Sequence, residues 1–328
     1  MTEERRMLRD TVAALVTKHA SPAAVRAAME SDRGYDESLW RLLCEQVGAA
    51  ALVVPEELGG AGGELADAAT VLQELGRALV PSPLLGTTLA ELALLAAPEP
   101  DTETLATLAS LAEGRSIGAL VLDADYVVNG DIADVVVAAP HGPGGQLSRW
   151  TRFSAQPVAT MDPTRRLARV RPEQTEAIGP DPGLADQAAV LLAAEQIGAA
   201  ERCLELTVEY AKSRVQFGRP IGSFQALKHR MADLYVAVAA AKAVVSDACD
   251  DPTRTNAATA RLAASEALCS VAAEGIQLHG GIAITWEHDM HLYFKRAHGS
   301  AQLLGSRRDL LRQLESEVLG AGQVSAKS

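Results

Sequence analysis

The chain has 328 residues, 48% of them apolar and 4% aromatic, with a formal net charge of −12. That length sets a prior of about two or three domains, and the acidic balance, with no Lys/Arg-rich run, argues against non-specific nucleic-acid binding. No apolar run reaches the roughly 18 residues of a membrane span, and Met1-Thr-Glu-Glu-Arg-Arg-Met7 lacks the apolar core of a signal peptide.

Residues 1 to about 97 read as helical. Asp36 or Ser38 can cap a helix through Trp40, Leu43 and Val47, which Gly48 ends. Val53-Val-Pro-Glu-Glu-Leu-Gly-Gly-Ala-Gly-Gly63 is a long turn, followed by a helix over Leu65 to Leu79 that Pro81 and Pro83 stop. A shorter helix covers Thr87 to Ala97.

Between about 105 and 175 the texture changes to short β-branched runs: Ile117 to Leu122, Tyr126 to Asn129, Asp134 to Ala139 and Val158 to Thr160. Asn129-Gly130 and His141-Gly-Pro-Gly-Gly145 punctuate them, the pattern of a small β domain. Pro172 to Pro182 reads as the linker out of it. Helical periodicity then returns over 184–213, 223–249, 255–278 and 291–318, with the last eight or so residues read as a disordered tail. The fold class is therefore mainly α with a small β domain, divided as 1–100, 101–178 and 179–320, with a tail over 321–328.

The stretch Ser213-Arg-Val-Gln-Phe-Gly-Arg-Pro-Ile-Gly-Ser-Phe-Gln225 places a cation, an aromatic and two glycines at a helix end. Phe224, Leu227, Met231, Leu234 and Val238 follow at spacings of one buried helix stripe. Two readings stand side by side: a plain inter-helix turn, or a seat for an anionic cofactor, with a guanidinium fork for phosphate and glycines that let backbone approach. Gln277-Leu-His-Gly-Gly281 is likewise either a helix C-cap or exposed backbone near a ligand, with Gln277 offering an amide. His279 reads as a packing or capping residue.

Several other features carry less. His288, Asp289 and His291 suit no common structural zinc site, so no metal is expected. Arg165-Arg166 reads as a turn with surface charges. No Ser-His-Asp order or Walker loop stands out, and the glycines at 59–63 do not follow a strand as a dinucleotide fingerprint requires. Cys44, Cys203, Cys249 and Cys269 form no CxxC pair and read as reduced, buried small hydrophobes of a cytoplasmic protein.

Taken in order, Leu39 to Gly63, Met161-Asp-Pro-Thr-Arg-Arg-Leu-Ala-Arg-Val170, Arg214-Val-Gln-Phe-Gly-Arg-Pro-Ile221 with Gln225, Ala232-Asp233 and Gln277-Leu-His-Gly-Gly281 resemble the acyl-CoA dehydrogenase family over most of the chain. The resemblance implies a helical N-terminal domain, a middle β domain, a C-terminal four-helix bundle, and FAD as cofactor. It also implies that Arg214, Phe217 and Gln225, with Gln277, Gly280 and Gly281, hold the pyrophosphate and adenosine end of a flavin across a subunit interface. An acyl-CoA thioester is the implied substrate, and an electron-transfer flavoprotein the implied acceptor.

The pattern breaks in two places. Where the family carries its glutamate base, this chain has Leu304, and leucine takes no proton. The alternative family position on the first helix of the C-terminal domain falls at Ala188, two residues from Asp186. Asp186 is therefore a candidate base, beside its plain reading as a carboxylate favoured by a helix N-terminus. The Thr/Ser-rich opening of the family's β domain is also missing, and the chain is short for the family in that region.

The resulting expectation resembles the short subunit of actinobacterial α2β2 acyl-CoA dehydrogenases of steroid catabolism. In that arrangement a full-length partner in a heterotetramer brings the base, and this chain completes the FAD site. The alternatives are a self-sufficient homo-oligomer using Asp186, and a flavin-free scaffold.

Overall fold

The computed structural model describes residues 2–139 and 145–325. The N-terminal part contains α1 (Glu3–His19), α2 (Pro22–Glu30), α3 (Glu37–Leu42), α4 (Leu65–Arg77), α5 (Leu84–Leu95) and α6 (Thr102–Ala112). Side-chain caps set several starts: Thr2, Ser21, Asp36 and Asp101 each accept a first-turn N–H. Asp36, rather than Ser38, caps α3, which continues as one π-helical turn over Leu43–Val47 and ends at Gly48 in the left-handed region. Leu108 and Leu111 of α6 enter the core shared by these helices. The β region therefore begins at Gly118 rather than near 101.

Its strands are β1 (Gly118–Val121), β2 (Val127–Val128), β3 (Val135–Ala138), β4 (Gln146–Val158) and β5 (Leu167–Pro180), in the order β1-β3-β4-β5-β2. β1 and β3 are parallel and every other pairing is antiparallel. Ala119, Val121, Val127, Val136, Trp150, Ala168 and Val170 form its own small core. The two longest strands were not legible as β-branched runs, because β4 and β5 pair mainly with each other and expose most of their side chains. Their sequences are correspondingly polar. Residues 172–180 thus belong to β5, not to a linker, and of the turn expected over His141 to Gly145 all but Gly145 lies outside the described residues.

The C-terminal part comprises α7 (Leu184–Ser213), the hairpin β6 (Val215–Gln216) and β7 (Arg219–Pro220), α8 (Gln225–Asp250), α9 (Arg254–His279), α10 (Met290–Gln302) and α11 (Arg307–Ser325). The helix expected over 291–318 is broken. Leu304 at φ 59 and Gly305 at φ 109 turn the chain, and Ser306 with Asp309 makes a reciprocal capping box that starts α11. Helix continues to Ser325, through the first part of the expected tail, and 326–328 lie outside the described residues. The span Arg254–Ile284 has the length and composition to cross a membrane. Here, however, α9 packs among α7, α8, α10 and α11 and carries the fully buried Arg261.

The N- and C-terminal parts lock where α4 crosses α7. A Cβ on Gly198 would collide with the Gln73 carbonyl, and one on Gly76 with the Glu195 carbonyl, so these glycines allow close helix contact. Leu72, Leu75, Leu191 and Leu192 fill the surrounding core.

Candidate functional site

α7 and α9 end, and α8 begins, at one end of the C-terminal bundle. Their ends are tied together: the Tyr210 hydroxyl donates to the His279 carbonyl at 3.3 Å, and the two rings stack at 4.2 Å. The segments that leave these ends are the two motifs singled out in the sequence. Arg214 opens one, and Gly280-Gly281 opens the other.

The first motif is a β-hairpin. Val215 pairs with Pro220 and Gln216 with Arg219, leaving Phe217 and Gly218 as a two-residue turn at φ 52 and 75. Positive φ at both positions is the backbone of a hairpin turn matched to strand twist. Glycine adopts it freely, whereas at Phe217 it is strained. That strained ring is also 92% exposed. The hairpin folds back on α7, since the Ile221 N–H donates to the Arg214 carbonyl at 2.8 Å and a Cβ on Gly222 would sit 2.9 Å from the Ala211 carbonyl oxygen.

α8 then starts at Gln225 with no side-chain cap from Phe224; the Leu227 N–H donates to the Phe224 carbonyl at 3.1 Å, and the N–H groups of Gln225 and Ala226 before it stay open to an anion. Among the described residues, the exposed Arg214 guanidinium has no ion pair or side-chain hydrogen bond, and Arg219 stacks over Phe224 with its guanidinium carbon 4.0 Å from the ring centroid. Gln225, Gln277, Gly280 and Gly281 are exposed, and a Cβ at either glycine would meet only open space. The six residues expected to hold the nucleotide thus stand at one end of the bundle. Free cation, open helix N–H groups and bare backbone match the donor set a pyrophosphate dianion needs.

The expected stripe of α8 is only partly buried. Val238 is enclosed, whereas Phe224, Leu227, Met231 and Leu234 are half-buried and Tyr235 (67%) and Val236 (65%) are exposed. Among the described residues Tyr235 and Val236 stay uncovered, so the apolar face of α8 is wider than its core contact requires.

Two expected base positions lie elsewhere. Asp186 sits in the first turn of α7, where burial raises its pKa and Arg254 opposes the shift, with Gln313 and Glu317 among its neighbours; these belong to α9 and α11. Leu304 is half-buried in the turn between α10 and α11. That turn is held by Arg261, whose guanidinium donates to the carbonyls of Ser300 and Leu303, the latter at 2.9 Å, and to the Gln196 amide oxygen at 2.7 Å. Burial, then the nearby Arg165, lower the Arg261 pKa to about 10.

The structure also assembles a cluster around Arg165 and Arg166, the pair expected at the surface. Arg165 donates to Glu195 at 2.7 Å, Arg296 binds Asp162 at 2.8 Å and also Glu195, and Arg166 pairs with Asp131 at 2.6 Å. Arg296, Glu195, Asp162 and Thr164 are buried. Burial alone would raise the Glu195 carboxyl, but the guanidiniums of Arg165 and Arg296 hold it below its ordinary value. The reading of Arg165-Arg166 as surface charges is therefore corrected: the loop after β4 is pinned against α7 and α10. No local signal marks this, because the partners lie 30 to 135 residues away.

His288, Asp289 and His291 do not converge on a metal arrangement. Asp289 pairs with Arg26, His288 accepts the Met290 N–H at 3.1 Å, and His291 meets the Trp286 ring. The cysteines are free thiols; burial, joined at Cys249 by Asp250, pushes Cys44 and Cys249 up to about 12.

A family model described as the acyl-CoA dehydrogenase N-terminal domain matches residues 2–110, and one described as the C-terminal domain matches 183–316. The chain is 82% identical over 316 residues to the Mycobacterium tuberculosis acyl-CoA dehydrogenase IpdE2, covering 96% of this chain and 98% of that protein. Among solved structures it is similar to the ChsE4-ChsE5 complex from Mycobacterium tuberculosis, at 26% identity and TM-score 0.86, covering 97% of this chain and 98% of the other. It is also similar to the Tcur3481-Tcur3483 steroid ACAD, at 27% identity and TM-score 0.86, covering 98% and 99%. The fold, the ordered motifs and these matches agree: this chain belongs to the acyl-CoA dehydrogenase family of FAD-dependent oxidoreductases.

Proposed function

We propose that this chain is a subunit of a heteromeric acyl-CoA dehydrogenase that desaturates a CoA thioester, steroid-derived by analogy with its relatives, and that it contributes half of a flavin site while a partner chain supplies the base. The observation that carries this reading is the contrast between an open nucleotide cradle and a position lacking the base. Arg214, Gln225, Gln277 and the Gly280-Gly281 turn face outward with free donors, whereas Leu304 stands in the turn where the family carries glutamate.

FAD supplies the hydride-accepting chemistry of the family. The residues of this chain bind and orient it: Arg214 neutralises phosphate charge, the α8 N–H groups and glycine backbone add hydrogen bonds, and the amides of Gln225 and Gln277 fix the nucleotide end. The exposure of Phe217 on its strained turn, with Ile284 at 71% and Trp286 at 65%, supports a second chain covering this end of the bundle. The first half of α7 is enclosed from Ala188 to Ala194, which supports locating the acyl group mainly on the partner. The likeness to the Tcur3481-Tcur3483 steroid ACAD supports the substrate class.

The test is purification of the chain alone and together with a full-length acyl-CoA dehydrogenase partner, recording the flavin spectrum and thioester oxidation. The expected outcome is oxidation by the complex only, with Asp186→Asn leaving turnover within about two-fold, since the partner holds the base. Oxidation by the chain alone, abolished in Asp186→Asn, supports the homo-oligomer instead. A complex that never acquires flavin supports the scaffold.

A further inference from the structure

The nucleotide turn is built around histidines that the cofactor reading leaves unused. His279 closes α9 directly before Gly280, and His288 directly precedes Asp289 and the first residue of α10, Met290. The His279 ring is sandwiched: Tyr210 of α7 stacks on one face at 4.2 Å, and the His288 ring meets it edgewise at 4.7 Å. Between these two residues runs the Gly280–Ile284 turn.

The hydrogen bond at His288 requires a neutral ring, whereas the one at His279 forms in either charge state. His279 Nδ1–H donates to the Gly275 carbonyl at 2.8 Å, whereas His288 Nδ1 accepts the Met290 N–H at 3.1 Å. An imidazolium has N–H on both nitrogens and cannot accept. Protonation of His288 therefore breaks its hold on the start of α10, where the helix N-terminus also disfavours a cation. Met290 is fully buried, and a Cβ on Gly275 of α9 would lie 2.6 Å from its Sδ, so freeing this residue loosens the contact that aligns α9 with α10.

The surrounding charges do not favour a cation here. Tyr210 faces His279 from α7, and His291 lies beyond His288 with its ring against Trp286. The nearby carboxylate, Asp289, is engaged by Arg26 of α2, and Lys295 of α10 sits over the Trp286 ring at 4.5 Å. A positive charge on either ring would also stand against the other imidazole.

We propose that His279 and His288 form a proton-sensitive latch on the Gly280–Ile284 turn: with both rings neutral the turn is held ready for the nucleotide, and protonation releases it. The proposal rests on the flavin reading for its ligand, and on the ring contacts for its mechanism. By linkage, bound cofactor keeps the pair neutral, and acid weakens cofactor binding.

The experiment measures FAD affinity of the assembled complex at about pH 7.5 and about pH 5.5, for the natural chain and for His288→Gln. The glutamine amide oxygen still accepts the Met290 N–H but takes no proton. Binding by the natural chain is expected to weaken about ten-fold at the lower pH, and the variant stays within about two-fold. In parallel, hydrogen exchange of residues 284–293 in the full chain, corrected for the intrinsic pH dependence of exchange, should accelerate at the lower pH in the natural chain only. Equal pH dependence in both proteins overturns the latch. If the variant does not fold, unchanged protection of 284–293 in the natural chain overturns it just as well. Absence of flavin binding at pH 7.5 removes the cofactor reading, while the exchange measurement still decides the latch.

Discussion

Arg214 and Glu91 mark opposite uses of a charged side chain. Arg214 is exposed and free of carboxylate partners among the described residues, so its guanidinium is available to a ligand. Replacing it with alanine should weaken FAD binding by the complex by about 1.5–3 kcal/mol, roughly ten- to more than a hundred-fold. Flavin titration of the assembled complex checks this. Glu91, on α5, is fully buried, and neither carboxylate oxygen has a hydrogen-bond partner among the described residues. Burial holds its pKa well above the ordinary glutamate value. The folded chain therefore keeps a proton that the unfolded chain releases, and stability falls as pH rises from the ordinary glutamate range towards the raised value. Glu91→Met should stabilise the chain by about 1–3 kcal/mol at pH 7 and flatten that pH dependence. Urea unfolding at pH 5 and pH 8 measures both effects. Neither residue's role follows from composition. Arg214 was legible because a turn motif surrounds it, whereas Glu91 lies in an apolar helix whose burial depends on strands and helices distant in sequence.

At the scale of elements, the decisive joint is the loop after β4, which Arg296 fastens to α7 and α10. Arg296 reaches Asp162, Glu195 and the Thr164 carbonyl, all buried. Arg296→Leu leaves the buried Asp162 carboxylate without its cation and Glu195 with Arg165 alone. The loss should be about 3–5 kcal/mol, seen as a lower urea midpoint for the chain. Part of the helix extents was readable from caps and periodicity, as at Asp36, which opens α3. The longest strands were not. A strand that exposes most of its side chains needs no β-branched run, and Pro157 and Pro172 sit in a ribbon where a missing N–H costs little. The α10–α11 break was hidden for a related reason. Leu304 adopts a left-handed backbone that its own side chain disfavours, and the Arg261 hydrogen bonds to Ser300 and Leu303 stabilise the turn from outside.

For the whole molecule, the exposed end of the C-terminal bundle carries cradle and apolar face together. Tyr235 and Val236 on α8 lie on the helix that begins at the cradle. A charge there should weaken assembly with a partner without unfolding the chain. Tyr235→Glu is expected to cost at least about 2 kcal/mol of association, near thirty-fold, measured by the concentration dependence of the complex's mass. A normal complex from this variant would place the interface elsewhere. The sequence by itself determined the helix–sheet–helix order, the two glycine-bearing motifs and a leucine rather than a carboxylate at position 304, because helix periodicity, turn chemistry and residue type are local properties. Only the tertiary structure decided that Arg165 and Arg166 are structural, that Asp186 faces α9 and α11, and that both motifs leave the bundle at one end joined through Tyr210 and His279. Burial and pairing arise from contacts between residues far apart in the chain, and no local pattern encodes them.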